Sequence, residues 1–139
     1  MQFKGLAGRF SAAIFGALPL LVLLVPAQAQ APGLAMLDQL ERGQWEVRFR
    51  ETGAKRDICV RSGREFIQLK HAGNKQCSHY VVEGGQQQVT VQYTCAGNGY
   101  GRTNIRRETR DIVQISSTGM VNSRPFEFAA EARRTGTCN

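Results

Sequence analysis

With 139 residues, 42% of them hydrophobic and 8% aromatic, the chain suits one domain rather than several. Eighteen lysines and arginines against 11 acidic residues give a net charge of +7, and the four cysteines form an even set. The basic balance alone would admit nucleic acid as a partner, but an export signal at the N-terminus argues against it and against a reducing compartment.

That signal opens the chain. Lys4 and Arg9 give a positive start, an apolar run extends from Ala12 to Val25 with Pro19 inside it, and Ala27-Gln28-Ala29 is a small-x-small cleavage site. The run falls short of the roughly 20 residues of a comfortable membrane span. No cysteine at the cleavage site offers a lipid anchor. The expected layout is a signal peptide over 1–29 and a single β-rich domain over 30–139. The product is expected to be soluble, periplasmic or secreted, with no stable membrane span after cleavage. Setting aside Lys4 and Arg9 leaves 16 basic against 11 acidic residues, a net charge of +5. That charge suits an anionic envelope polymer or lipid headgroups, or simple solubility.

A Pro/Gly leader, Gln30 to Gly33, precedes Leu34, Leu37 and Leu40 at helical spacing, with Gly43 as the stop. Gln44 to Thr52 alternates, and Trp45, Val47 and Phe49 share its apolar face. Gly53-Ala54-Lys55 is a turn and Arg56 to Val60 a second strand. Ser62-Gly63-Arg64-Glu65 has the form of a capping box, which predicts a second short helix carrying Phe66 and Leu69 on one face. His71 is then expected as a solvated last-turn residue.

Cys77 to Glu83 and Gln88 to Cys95 are two alternating runs around Gly84-Gly85. A loop at Gly85-Gln86-Gln87 pairs Glu83 with Val89, Val81 with Val91, His79 with Tyr93 and Cys77 with Cys95, all on one mostly apolar face. Ser78, Gln88, Thr90, Gln92 and Thr94 take the other face. Directly opposed Cβ atoms lie about 4.5–5.5 Å apart, close enough for a short pair to meet disulfide geometry. Of the three connectivities open to four cysteines, this register favours Cys77–Cys95, leaving Cys59–Cys138 by elimination. Gly97-Asn98-Gly99-Tyr100-Gly101 reads as a flexible link. Arg102 to Arg110 and Ile112 to Ser117 form a further hairpin, and Thr118-Gly119 turns the chain. Ser123-Arg124-Pro125 introduces a last strand with Phe126, Phe128, Ala130 and Ala132 on one side. The fold class expected is mainly β (α+β): a curled antiparallel sheet of about six or seven strands with two short helices, stapled by disulfides.

The order Gly43-x-Trp45-Glu46-Val47, Ile58-Cys59-Val60, Cys77, Tyr93-x-Cys95 and Gly136-x-Cys138 resembles domain-of-unknown-function family 3617, small exported proteins of proteobacterial envelopes. The resemblance spans the mature chain. It implies export and a four-cysteine β-rich domain, and it carries no activity. The link between the first strand and Cys59 is short here, where many members have a longer Met- and Pro-rich insert.

Catalytic candidates are few. His79, set beside Tyr93 by the hairpin register, is the residue on which an envelope enzyme would rely. Cys77, His79 and Cys95 would suit a metal only with free thiolates, which export argues against. There is no Cys-x-x-Cys. Trp45 reads as core. Arg102, Arg106 and Arg110, with Glu108 between them, fall on one strand face and would make a basic stripe for phosphate or carboxylate groups, with Tyr100 as a contacting aromatic. The expected function is a non-catalytic binding or structural module of the envelope, without cofactor or metal, whose partner is an anionic envelope component or a protein. The alternatives are an inhibitor module resembling periplasmic lysozyme inhibitors, and a small enzyme using His79.

Overall fold

The computed structural model describes residues 32–139. The expected signal peptide over 1–29 lies outside them. Seven strands form one antiparallel sheet: β1 (Gly43–Phe49), β2 (Lys55–Val60), β3 (Cys77–Gly84), β4 (Gln88–Cys95), β5 (Gly99–Thr109), β6 (Ile112–Val121) and β7 (Arg124–Gly136). Their order in space is β2-β1-β7-β6-β5-β4-β3, and the sheet is not closed. β3 to β7 are a meander, each strand beside the next, as local hairpins dictate. The β1–β2 hairpin then joins the far side of β7, so the final strand is interior to the sheet.

Alternation along the strands sends one set of side chains inward. Trp45, Val47, Val91, Tyr93, Ile105, Val113, Ile115, Ala130 and Ala132 are buried in a single cluster. Covering them are Met36 and Leu37 of a one-turn helix, α1 (Ala35–Asp38), and Phe66, Ile67 and Leu69 from the connection between β2 and β3. The Trp45 ring meets Phe66 edge-to-face at 5.2 Å, and its Nε1 donates to the Glu41 carbonyl at 3.0 Å. Burying each large side chain of this kind stabilises the fold by about 1.5–3 kcal/mol. The inside of the curl is therefore filled with protein.

The second expected helix is instead two 3-10 turns, Arg64–Phe66 and Leu69–His71. The capping box forms by half. Glu65 accepts the backbone N–H of Arg61 at 2.9 Å and of Ser62 at 3.3 Å. The Ser62 hydroxyl lies against the Glu65 carboxylate at 3.4 Å and caps nothing. Gly63, at φ 74°, enters in the left-handed region, where a helix start needs extended backbone.

Both disulfides form as expected. Cys77 and Cys95 are opposed on β3 and β4 with Cα atoms 4.0 Å apart, and Cys59 of β2 joins Cys138 just beyond β7 at 5.5 Å. The hairpin register holds from Cys77–Cys95 to Val81–Val91. A bulge at Val82 then shifts it, so Glu83 faces Thr90 and Gly84 faces Val89.

Two expected boundaries move. The Gly97–Gly101 segment is not a link, since Gly99 to Gly101 already belong to β5. Thr118-Gly119 does not turn the chain: β6 runs on to Val121, and the turn is Asn122-Ser123, with φ of 49° and 61°. Two successive positive φ values give the twist of a two-residue hairpin. Gly119 stays in the strand because it faces Gly101 on one side and Phe126 on the other. Tyr93 lies over Gly101 and Phe126 over Gly119, so two aromatic rings fill the space of two absent side chains.

His71 sits on this aromatic floor. Far from being solvated, it is 3% exposed, with Tyr93 at 5.3 Å and Phe126 at 6.3 Å between ring centroids. Its Nε2 lies 3.1 Å from the Asn98 carbonyl, which can only accept, so Nε2 carries the proton. Nδ1 then accepts from the Tyr93 hydroxyl at 3.0 Å. The Asn98 carbonyl also takes the Asn122 N–H at 3.2 Å, which ties the β2–β3 connection to the two hairpin turns.

Burial pushes the Tyr93 phenol up to about 12. An unfolded tyrosine ionises near 10, so the folded chain keeps a proton that the unfolded chain has lost. Stability is fully present below about pH 10 and falls as pH rises towards 12, by about 2–3 kcal/mol in all. Urea midpoints at about pH 9 and pH 11 should show the decline, and Tyr93→Phe should flatten it.

Candidate functional site

The outer face of the sheet carries the side chains that the core does not use. On β5 these are Tyr100, Arg102, Asn104 and Arg106, two residues apart and outward. Pairing extends them into rows across neighbouring strands. Tyr80, Gln92, Arg102, Thr118 and Glu127 form one row over β3 to β7. Beside it run Thr90, Asn104, Ser116 and Ala129 on β4 to β7. Small residues in the middle of these rows, flanked by long ones, leave a trough on the outer face. Two adjoining hollows of about 600 Å³ each share Arg102, Thr118 and Glu127. Tyr100, Met120 and Pro125 line one end, and Glu51 and Ala129 the other.

The trough is fixed by hydrogen bonds around it. Asn104 Nδ2 donates to the Thr90 hydroxyl at 2.9 Å, and that hydroxyl donates to Glu83 at 3.2 Å. Glu51 accepts the Ala129 N–H at 2.9 Å, and bonds from backbone N–H groups hold its carboxyl below the usual range. Hydrogen bonding from Gln114, at 3.0 Å, and from Arg133 does the same for Glu131.

The three expected arginines have different fates. Arg106 pairs with Glu108 at 3.1 Å. Arg110 leaves the stripe: the bulge at Glu108 ends the alternation, and Arg110 lies in the β5–β6 turn. There it pairs with Glu41 at 2.9 Å and donates to the Gln39 carbonyl at 3.2 Å, so its work is to anchor the segment after α1. Arg102 has no ion pair among the described residues. It is the uncommitted cation of the trough, next to Tyr100.

Tyr80 was not among the sequence candidates. It is 71% exposed, and Tyr100 is 50% exposed; these two are the large apolar side chains that the described surface presents to water. Both lie on the outer face, flanking Gln92 and Thr94 of β4. The signal was present in the β3–β4 register, which puts Tyr80 opposite the outward Gln92.

His79 lies next to Tyr93 as expected, with ring centroids 6.4 Å apart, but on an edge strand. Its Nε2 is 2.9 Å from Gln68 Oε1, and partial burial holds its pKa below the ordinary value. The Tyr93 hydroxyl is taken by His71 instead. Cys77 and Cys95, joined to each other, offer no thiolate to a metal. Trp45 is fully buried and belongs to the core.

In comparison with known proteins, the chain matches no family model, no curated protein and no solved structure.

Proposed function

We propose that the protein is a non-catalytic binding module of the bacterial envelope that takes an acidic glycan along the outer trough. One observation carries the reading: an arginine with no acidic partner among the described residues stands in the trough next to exposed Tyr100, with exposed Tyr80 farther along its row. Carboxylates of the glycan would meet Arg102, whose fork matches a carboxylate geometrically. Sugar hydroxyls would bond to Gln92, Asn104, Thr118 and Glu127, and sugar faces would stack on Tyr80 and Tyr100. The filled interior supports the outer face as the binding surface. Two disulfides suit an oxidising compartment, where such polymers are met. The resemblance of the residue order to domain-of-unknown-function family 3617 would agree with this placement.

Calorimetric titration with polygalacturonate, and sedimentation with purified peptidoglycan, test it. Arg102→Ala should weaken binding about tenfold or more, as loss of a hydrogen bond to a charged group implies. Tyr80→Ala with Tyr100→Ala should do likewise, and binding should fall with added salt. Arg110→Ala should leave affinity unchanged. Equal affinity of the Arg102 and tyrosine variants with the parent would refute the assignment, as would stoichiometric inhibition of a lysozyme that survives those substitutions.

A further inference from the structure

A different feature lies at the open seam of the sheet. β2 is an edge strand, and the β2–β3 connection runs beside it. Between them is a cleft of about 360 Å³, within the size range of small-molecule sites. Its walls are largely carbon, from Ile58, Leu69, Ala72 and the disulfide-bonded Cys59.

Arg56 is set into the wall, half-buried. Its Nη1 and Nη2 both donate to the Leu69 carbonyl at 3.1 Å, its guanidinium lies 5.8 Å from the Phe49 ring centroid, and its Nε is buried without a partner. Five N–H donors belong to a guanidinium, so three remain after the two bonds to Leu69. No carboxylate among the described residues pairs with it. The other charged residues at the cleft are Arg64, neutralised by Asp38, and Glu65, whose carboxylate is taken by the Arg61 and Ser62 backbone N–H groups. A cation partly withdrawn from water with no counter-charge is costly, and its burial disfavours the charged form. A single carbonyl dipole offsets little of that cost. An anion at the cleft would.

We infer that the cleft binds a single-chain aliphatic carboxylate, its head on Arg56 and its chain along Ile58, Leu69 and Ala72. The wall favours such a chain over an added peptide strand. Arg56 and Ile58 share the inward parity of Val60, so the cleft meets β2 mainly through side chains and not along its free hydrogen-bonding edge. An alkyl chain needs no ladder of backbone partners; a peptide does. The site is independent of the outer trough, and either can fail alone.

Decanoate, kept below its micellar concentration, is the probe, titrated calorimetrically into the disulfide-bonded chain. Saturable one-to-one binding is expected. Decanol should bind at least tenfold more weakly for want of the carboxylate, and acetate should not bind for want of the chain. Arg56→Gln should weaken decanoate at least tenfold. Ala72→Trp should block the cleft with Arg56 untouched, which keeps the question decidable if the Arg56 variant fails to fold. Arg102→Ala should bind decanoate as the parent does. Failure of decanoate to saturate the parent would overturn the assignment. So would equal binding of decanoate and decanol, unchanged affinity in folded Arg56→Gln or Ala72→Trp, or capture of a free C-terminal peptide where decanoate does not bind.

Discussion

Replacing Cys59 and Cys138 together by serine should cost the protein about 4.5 kcal/mol. The two residues are 79 apart in sequence, and closing a loop of that length removes a large share of the unfolded chain's freedom. The bridge also clasps the sheet where no short connection does. Gln44 of β1 pairs with Cys59 on one side and with Gly136 on the other, so the bond from Cys59 to Cys138 passes across the start of β1. It ties the N-terminal hairpin to the end of the last strand. The Cys77–Cys95 bridge closes only 18 residues within a hairpin that its own register already holds, and its loss should cost about 3 kcal/mol. A domain of this size has a total stability of about 5–15 kcal/mol. Urea unfolding of the two double-serine variants should therefore rank them, the long bridge costing more. The reverse order would mean that loop closure is not what the long bridge supplies.

Gly119→Ala should destabilise by about 3 kcal/mol, large for one methyl group. A Cβ there would meet the carbonyl oxygen of Tyr100, lie 2.7 Å from the Cα of Gly101 and 2.9 Å from Cζ of Phe126. Two of these neighbours are backbone held in the β5–β6 ladder and cannot swing away. Overpacking of a fixed site typically costs 1–3 kcal/mol, and more where nothing relaxes. Gly33→Ala provides the contrast, because nothing stands within 4 Å of a Cβ at that position. Thermal or urea midpoints should separate the two, and a near-neutral Gly119→Ala would show that β5 and β6 move apart more easily than their pairing implies.

The same glycine shows where sequence reasoning stops. Between alternating runs a glycine reads as punctuation, and Thr118-Gly119 was expected to turn the chain. Gly119 is instead a strand residue roofed by Phe126, a contact seven positions on that becomes visible only once β6 and β7 are paired. The β3–β4 hairpin was legible because alternation and two cysteines fix its register together. The bulge was not, since Val81 and Val82 are both apolar and period-two counting cannot choose between them. His71 was expected in water because it falls in the last turn of the predicted second helix. Its surroundings come from Tyr93, Asn98 and Phe126 on three other strands and turns. At the candidate sites, parity alone put Arg102 and Arg106 on one strand face, whereas Tyr100 was read as part of a link, and the bulge at Glu108 that removes Arg110 from the stripe follows from no local pattern. The Arg56 cleft was invisible in the sequence, because its two walls belong to a strand and a connection that meet only in three dimensions.

The placement of β7 between β6 and β1 has a temporal side. As a nascent chain emerges amino end first, neighbouring strands β3 to β6 can zip up one after another. β1 and β2, carrying Trp45 and Val47, form a hairpin with no mate until the thirteen residues of Arg124–Gly136 arrive. Contacts of such long sequence separation are slow to form. A sheet wired in this manner stays in two separate pieces until its last strand closes the gap between them.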